Sequence, residues 1–196
     1  MGSQQPPPSA RQNDLLERAY DYVLTHGLAE LSLRPLATAI GSSPRVLLYL
    51  FGSKDGLVRA LLARARKDEL DLLQRLRELN GDQPVGLAMV AEQIWSWLSD
   101  PRRRPLLTLW AEGYVRALID PDGPWQGFAQ TTVDDWLAVL ATAQPPEARD
   151  TTDGRNERTL LLATLRGTLL DLLATGDDQR TTSALRAHLA AVSHAQ

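Results

Sequence analysis

Apolar side chains recur every three or four residues along most of the chain, which is the spacing of one face of an α-helix. Near the start of the chain, Gly27 and Gly41 each follow such a stripe, and glycine readily adopts the left-handed conformation at a helix end. The stripes are Leu15, Leu16, Ala19, Tyr20, Val23 and Leu24, and then Leu33, Leu36, Ala37 and Ile40. The pattern predicts two consecutive helices, with Ser32 as the cap of the second.

A third, short helix is predicted over residues 44–51. Ser43 followed by Pro44 is a typical cap and first-turn pair, Gly52 offers an end, and Ser53 can cap the next helix. Because successive helical residues are rotated by about 100°, the segment has two different faces. Val46, Leu47, Leu50 and Phe51 share one face, and Arg45, Leu48 and Tyr49 share the other. We expect the first face to pack on the preceding helices and the second to be exposed.

The order of these elements is that of a helix-turn-helix unit with a supporting helix before it. In such a unit, the N-terminal residues of the second helix meet the bases in the major groove of DNA. Here those residues are Ser42, Ser43, Pro44 and Arg45. Three small helices that merely pack together are the alternative at this point.

The rest of the chain also shows helical patterns. A connecting helix is predicted from Leu57 to about Asn80. Its Arg64, Arg66 and Lys67 are interpreted as a solvated face with local ion pairs, with additional phosphate contacts as the alternative. Later apolar stripes run over residues 87–98, 106–117, 125–140 and 156–175, before a last helix.

Three polar features of this part of the chain are expected at the surface. Glu112 and Arg116 are four residues apart, which predicts a surface ion pair. The basic cluster at residues 100–106 is interpreted as a solvated turn, with an anion site as the alternative. Residues 142–154 are predicted to be a mobile linker.

Composition excludes several kinds of site. The chain has no cysteine, so a disulfide, a thiolate nucleophile and a cysteine-ligated zinc site are absent. The histidines are isolated, and Asp134 and Asp135 point about 100° apart on their helix, so no convergent acid–base or metal groups are visible. Apolar runs are too short for a membrane span, and no signal peptide is recognisable. We predict a cytoplasmic protein that is not an enzyme and needs no cofactor.

The distribution of charge favours a nucleic-acid contact at one end of the molecule. Residues 1–67 hold nine Lys and Arg against five Asp and Glu, whereas the chain as a whole has a net charge of −3. Phosphate binding needs local positive charge and not a basic whole protein. Random scatter of charges is the alternative for so small an imbalance.

Residues 31–62, "LSLRPLATAIGSSPRVLLYLFGSKDGLVRALL", resemble the DNA-binding region of the TetR family of bacterial transcriptional regulators. The resemblance covers about residues 11–65, and its most characteristic part is the run from Tyr49 to Asp55. It implies an all-α homodimer with an N-terminal three-helix DNA-binding domain and a C-terminal helical ligand-binding and dimerisation domain. The expected parts are a disordered tail (1–10), the helix-turn-helix domain (11–54), the connecting helix (55–81) and the C-terminal domain (82–196).

By position, the resemblance also implies roles in DNA binding. Arg34 is expected to reach a phosphate or a base edge, Arg45 a guanine, and Tyr49 and Lys54 phosphates. The complete predicted set is Arg34, Ser42, Ser43, Pro44, Arg45, Leu48, Tyr49 and Lys54. Family members commonly carry a tyrosine at the position of Leu48 and a histidine at the position of Leu50. A leucine cannot donate to a phosphate, although it could touch a thymine methyl group.

All five tryptophans lie between residues 95 and 136. Aromatic side chains on an inward helix face usually form core, and a ligand cavity is the alternative because the family keeps its pocket in this domain. The predicted ligand-binding residues are Trp95, Trp110, Tyr114, Trp125, Phe128, Thr132 and Trp136. The implied ligand is a small apolar or aromatic inducer whose binding releases the DNA.

Leucines wrap most of the circumference of the predicted helix over residues 156–175, so it must be buried on more than one side. With the last helix, it is predicted to form half of an intersubunit four-helix bundle. The predicted interface residues are Leu162, Leu165, Leu169, Leu173, Leu185 and Leu189. Two-fold symmetry would present two recognition helices about 34 Å apart, or further, to a palindromic operator.

Together these features predict a homodimeric, ligand-responsive transcriptional regulator that binds double-stranded DNA. The resemblance to the family implies that it acts as a repressor. The alternative is a ligand-binding or interaction protein of the same fold that no longer binds DNA. Leu48 and Leu50 favour the alternative, whereas Arg45, Tyr49 and Lys54 argue against it.

Overall fold

The computed structural model describes residues 9–28, 31–80 and 85–193, and every regular element in these ranges is helical. The helices are α1 (Ala10–His26), α2 (Leu33–Ala39), α3 (Pro44–Phe51), α4 (Lys54–Asn80), α5 (Leu87–Leu98), α6 (Arg104–Ile119), α7 (Phe128–Thr142), α8 (Pro146–Arg149), α9 (Thr152–Thr175) and α10 (Asp178–Ser193). Within the described ranges, no helix combines the length and the apolar character needed to cross a lipid bilayer. The predicted all-α fold is confirmed.

Most of the end signals predicted for the first three helices are present in the structure. Gly27 and Gly41 have positive φ angles of 77° and 67°, and the Ser43 hydroxyl accepts a hydrogen bond from the Val46 N–H. Ser32 precedes α2 without a side-chain cap. The predicted disordered tail of residues 1–10 needs one correction, because Ser9 caps α1 and Ala10 begins it. Residues 1–8 lie outside the described residues.

The connecting helix α4 is anchored on α1 by a polar cluster. Arg64 pairs with Glu17 of α1 at 2.7 Å and with Asp68 at 2.6 Å, and the Tyr20 hydroxyl donates to Asp68 over 2.9 Å. Arg66 pairs with Asp135 of α7. The predicted local ion pair therefore exists between Arg64 and Asp68, but the arginines also tie α4 to other helices, which the solvated-face interpretation did not include.

Two buried clusters form the core, and α6 contributes to both. Leu107 packs in the C-terminal cluster of α4, α5, α7, α9 and α10. Leu109 and Ala117 instead pack with α1 to α4, together with Trp125. The apolar core around the three N-terminal helices thus continues across the expected domain boundary into α6.

The connection between α7 and α9 corrects the predicted linker. Residues 146–149 form the short helix α8, and the buried side chain of Gln144 donates to the Gly154 carbonyl at 3.0 Å. Arg149 donates to the Ala141 carbonyl at 2.8 Å. Composition indicated a loose segment because Pro, Asp and Thr favour turns, but here the hydrogen bonds of Gln144 and Arg149 hold a packed corner.

A second correction concerns Glu112 of α6, whose predicted partner was Arg116. Its carboxylate instead accepts a hydrogen bond from the Leu28 N–H, 2.9 Å away, just after α1. A spacing of four residues allows Glu112 and Arg116 to form a surface pair. It cannot show that a backbone N–H from a distant segment binds the Glu112 carboxylate.

Candidate DNA-binding surface and ligand cavity

Helix α3 has the two faces that its sequence predicts. Leu47 is buried, and Val46, Leu50 and Phe51 are partly buried against the N-terminal core. On the opposite face, Arg45 is exposed, and Leu48 and Tyr49 keep 41% and 86% of their surface. Isolated exposed apolar residues are common, but a nearly fully exposed tyrosine beside an exposed arginine is an arrangement suited to a polar partner.

Both ends of α3 are held by hydrogen bonds. At the N-terminus the Ser43 hydroxyl caps the helix. At the C-terminus the Leu50 carbonyl, which has no partner within the helix, accepts from the Gln12 side chain of α1 at 2.9 Å. The exposed face is therefore presented by a helix fixed at both ends.

The other predicted DNA-binding residues flank this face along the chain. Arg34 in the first turn of α2 and Lys54 at the start of α4 are exposed, and Pro44 is the first residue of α3. The hydroxyl of Ser42 is buried without a hydrogen-bond partner among the described residues. It therefore does not reach the surface where Arg45 lies.

The C-terminal domain contains a narrow, aromatic-lined cavity of about 50 Å³. Three of the predicted ligand-binding residues line it, namely Trp110, Phe128 and Trp136. The other lining residues are Ala65, Ile94, Trp97, Leu98, Leu106, Leu107, Leu162, Leu165, Arg166 and Leu169. Because Ala65 belongs to α4, the cavity contacts the helix that leads directly to α3.

Four predicted ligand-binding residues lie elsewhere. Trp95 is buried in the core, and its indole donates to the Thr182 hydroxyl of α10 at 2.8 Å. Thr132 is buried and bonds the Phe128 carbonyl of its own helix. Tyr114 packs against the N-terminal core. Trp125 lies in the turn before α7, outside the predicted helix, and lines a separate open pocket.

Two lining residues were missed by sequence reasoning. Trp97 lies two positions after Trp95, so the two side chains leave α5 in nearly opposite directions, and the regular apolar stripe selected Trp95. Arg166 bonds the Tyr114 hydroxyl at 3.3 Å, with its guanidinium carbon 5.1 Å from the centre of the Tyr114 ring. Arg166 is the one arginine within the leucine-rich run of residues 160–173, and this was the signal that could have identified it.

The predicted dimer-interface leucines also need correction. Leu162, Leu165, Leu169, Leu185 and Leu189 are buried inside the chain itself, and Leu173 packs partly buried against the same core. The exposed apolar side of α9 is a different one. It carries Leu160 and Leu170, exposed by 62% and 49%, together with Ala163, Gly167 and Ala174. We refer to these five residues as the α9 stripe.

The predicted basic turn, residues 100–106, consists of a short 3-10 turn over Pro101–Arg103 and the first residues of α6. Arg102 is exposed and pairs with Asp100 at 2.7 Å, whereas Arg103 lies over the Trp97 ring with its guanidinium carbon 4.4 Å from the ring centre. Arg104 donates to the Leu172 carbonyl at 2.8 Å. The solvated-turn interpretation therefore holds fully for Arg102 and only in part for Arg103 and Arg104, which also contact Trp97 and Leu172. No group of three His, Asp or Glu side chains converges as a metal site among the residues that the structure describes.

Comparison with known proteins finds similarity at the level of structure. No family sequence model matches the chain, and the search of curated proteins finds no relative. A Rhodococcus sp. protein assigned to the TetR family of transcriptional regulators is 19% identical, with a TM-score of 0.70 over 94% of this chain and 99% of that chain. A TetR transcription regulator from Haloarcula marismortui is 15% identical, with a TM-score of 0.68 over 93% and 97%.

The multidrug binding protein EbrR is also similar. Its complex with imidazole is 25% identical, with a TM-score of 0.62 over 96% of this chain and 95% of that chain. Its complex with proflavin has a TM-score of 0.65 over 91% and 99%, at 23% identity. All these similarities span both the helix-turn-helix region and the C-terminal helices. The chain therefore has the fold of the TetR-family transcriptional regulators.

Proposed function

We propose that this protein is a homodimeric, ligand-responsive transcriptional regulator of the cytoplasm. It represses by binding a palindromic operator and is released by a small hydrophobic or aromatic molecule. The single observation that carries the proposal is the exposed face of α3, with Arg45 and Tyr49 on a helix whose opposite side is buried. A face of this kind stabilises the domain little and is suited to contact DNA.

Within the proposed surface, each side chain has a distinct task. Arg45, in the first turn of α3, is placed to donate two hydrogen bonds to a guanine edge. Tyr49, Arg34 and Lys54 are assigned to phosphates, which position the helix without reading sequence. Leu48 supplies an apolar contact to a thymine methyl group in place of the phosphate contact common in the family.

Dimerisation is proposed to use the α9 stripe. Its residues are spaced alternately by three and four positions, so they lie along one side of the helix. A Cβ atom added at Gly167 would meet nothing within 4 Å, which leaves room for a neighbouring helix to approach closely. Three exposed alanines of α10, Ala184, Ala187 and Ala191, provide a second small-residue surface. We propose that both pack against a second copy as a four-helix bundle.

Ligand binding is proposed at the aromatic cavity of the C-terminal domain. Its walls are apolar apart from Arg166, which suits an aromatic molecule. The similarity to EbrR, solved with proflavin, supports this choice of ligand class. Because α4 and α6 both line the cavity, a ligand that moves either helix would change the position of the DNA-binding helices.

Fluorescence anisotropy with labelled DNA that flanks the native gene tests the proposal. We expect binding that weakens steeply with salt, because phosphate contacts release counterions, and a loss of about tenfold or more in Arg45→Ala. Arg155→Ala is the matched control, since Arg155 is an exposed arginine on α9. Equal affinity for random DNA, unchanged by Arg45→Ala, would instead support the alternative protein that does not bind DNA specifically.

A further inference from the structure

We propose that Gln12 is a positioning residue for DNA binding. Its side-chain amide, on α1, holds the last turn of α3 in the orientation that brings Tyr49 and Lys54 to the DNA backbone. This inference rests on the proposed function, because it assigns a residue outside α2 and α3 to the correct presentation of the DNA-binding surface.

The contact between Gln12 and α3 is a single directional hydrogen bond. The Gln12 Nε2 atom donates to the Leu50 carbonyl over 2.9 Å, and the two residues are 38 positions apart. Among the described residues, it is the one hydrogen bond that joins α3 to another helix. Leu47 and Phe51 pack against the N-terminal core through apolar contacts, which are not directional. The Gln12 amide therefore supplies the directional contact that sets the orientation of this turn.

Tyr49 and Lys54 lie on either side of the bonded carbonyl along the chain. Tyr49 directly precedes Leu50 and is 86% exposed, and Lys54 follows four residues later as the first residue of α4. Both are proposed to contact phosphates. Because a hydrogen bond weakens steeply when its angle departs from the preferred range, a last turn that is free to rotate would bind a phosphate less well.

The other end of α3 is held by a different contact. The Ser43 hydroxyl accepts a hydrogen bond from the Val46 N–H over 3.3 Å, next to Arg45, the proposed guanine contact. Leu47, between the two ends, is buried. We therefore expect the Gln12 bond to influence the phosphate contact of Tyr49 and not the base contact of Arg45.

Helix α1 is a suitable support because its own anchors do not involve α3. Glu17 pairs with Arg64 of α4 at 2.7 Å, and Leu15 is buried in the N-terminal core. At the start of the helix, the Ser9 hydroxyl accepts a hydrogen bond from the backbone N–H of Gln12. The Gln12 side chain thus extends to α3 from a backbone that is held in place by other contacts.

Operator affinity of the full chain, measured by fluorescence anisotropy, tests the role of the bond. Gln12→Met keeps a similar length without a donor, so we expect affinity to fall by about fivefold. Gln12→Lys restores a donor and should bind as tightly as Asn13→Lys, which adds the same charge at the next, exposed residue and leaves Gln12 in place. Thermal unfolding shows whether each variant is folded, and Gln12→Ala replaces Gln12→Met if needed.

A double-mutant cycle separates positioning from a general effect on the domain. Tyr49→Phe removes the hydroxyl, so it should weaken operator binding by about fivefold in wild type. In Gln12→Met it should cost less than about twofold, because the phosphate contact is already impaired. Arg45→Ala should cost the same in both backgrounds, since Ser43 holds its end of α3.

Two results would overturn the role of Gln12, namely unchanged affinity in Gln12→Met or additive losses for Gln12→Met and Tyr49→Phe. A wild-type chain that binds its operator and loses affinity in Arg45→Ala would still be a regulator in either case. A wild-type chain that binds no operator would overturn both proposals.

Discussion

The carboxylate of Glu112 accepts a hydrogen bond from the backbone N–H of Leu28 over 2.9 Å. The two residues are 84 positions apart, and the bond joins α6 to the segment between α1 and α2. One turn or less away on α6, Trp110 lines the aromatic cavity and Gly113 packs closely on α4 and α7. This single turn of α6 therefore contacts both the aromatic cavity and the N-terminal helices.

The first prediction is that Glu112 couples the two sites. Replacing it by alanine removes the acceptor of the Leu28 N–H, so we expect the free energy of unfolding to fall by about 1–2 kcal/mol. We also expect proflavin to weaken operator binding less than in wild type, because movement of α6 is no longer passed to the α1–α2 connection. Anisotropy titrations with and without proflavin measure this coupling.

Glu112→Gln is the informative companion variant, because its amide oxygen can still accept the bond. It should keep most of the coupling, and Glu147→Ala, an exposed glutamate on α8, should keep all of it. Equal coupling in Glu112→Ala and wild type would show that the signal travels by another route.

The second prediction concerns Leu48. Because its side chain is exposed on the face of α3 that carries Arg45, Leu48→Tyr should fold normally and offer a hydroxyl to a phosphate. One added hydrogen bond contributes about 1 kcal/mol, which corresponds to about fivefold tighter operator binding. Leu118→Tyr serves as the control, since Leu118 is an exposed leucine on α6. A loss of affinity in Leu48→Tyr would mean that the proposed thymine contact of Leu48 contributes more than the added phosphate contact.

The third prediction tests the α9 stripe. Leu170→Glu places a charge on an exposed position, so the chain should remain folded but become a monomer, as measured by light scattering at micromolar concentration. Leu118→Glu makes the same change on an exposed leucine of α6 and should leave the dimer intact. Leu165→Glu, by contrast, should unfold the chain, because Leu165 is buried in the core. A dimer that survives Leu170→Glu would place the interface elsewhere.

The fourth prediction concerns pH and Tyr20. Burial, and then the negative charge of Asp68, raise the pKa of the Tyr20 hydroxyl above its ordinary value of 10.0. A raised pKa in the folded state means that the stability is fully present below pH 10.0 and is lost as the pH rises toward the folded value. Wild type should therefore lose stability above about pH 10 by as much as about 1.4 kcal/mol per pH unit.

Tyr20→Phe has no hydroxyl to ionise and should lack this part of the alkaline decline. At neutral pH it should be about 1 kcal/mol less stable than wild type, because the hydrogen bond to Asp68 is gone. Urea unfolding at pH 7 and above pH 10 measures both effects. Parallel stability curves for the two proteins would contradict the assignment.

Much of the N-terminal domain could be predicted from sequence because its signals are local. The cap at Ser43, the positive φ angles of Gly27 and Gly41 and the two faces of α3 depend on residues within a few positions of one another. In the C-terminal domain the same approach found the helices but assigned several faces wrongly. Trp95 was preferred to Trp97, and the core leucines of α9 were assigned to a subunit interface.

The sequence by itself thus determined that the chain is all helical, where most helices lie and which face of α3 is polar, since periodicity and capping are properties of neighbouring residues. Only the tertiary structure decided which partner covers each apolar face. It showed that Leu165 is core while Leu170 is exposed, and that Glu112 accepts a hydrogen bond from Leu28. When a helix is apolar on nearly every side, its own sequence does not indicate which face packs against which partner, because those contacts form only when distant segments pack together.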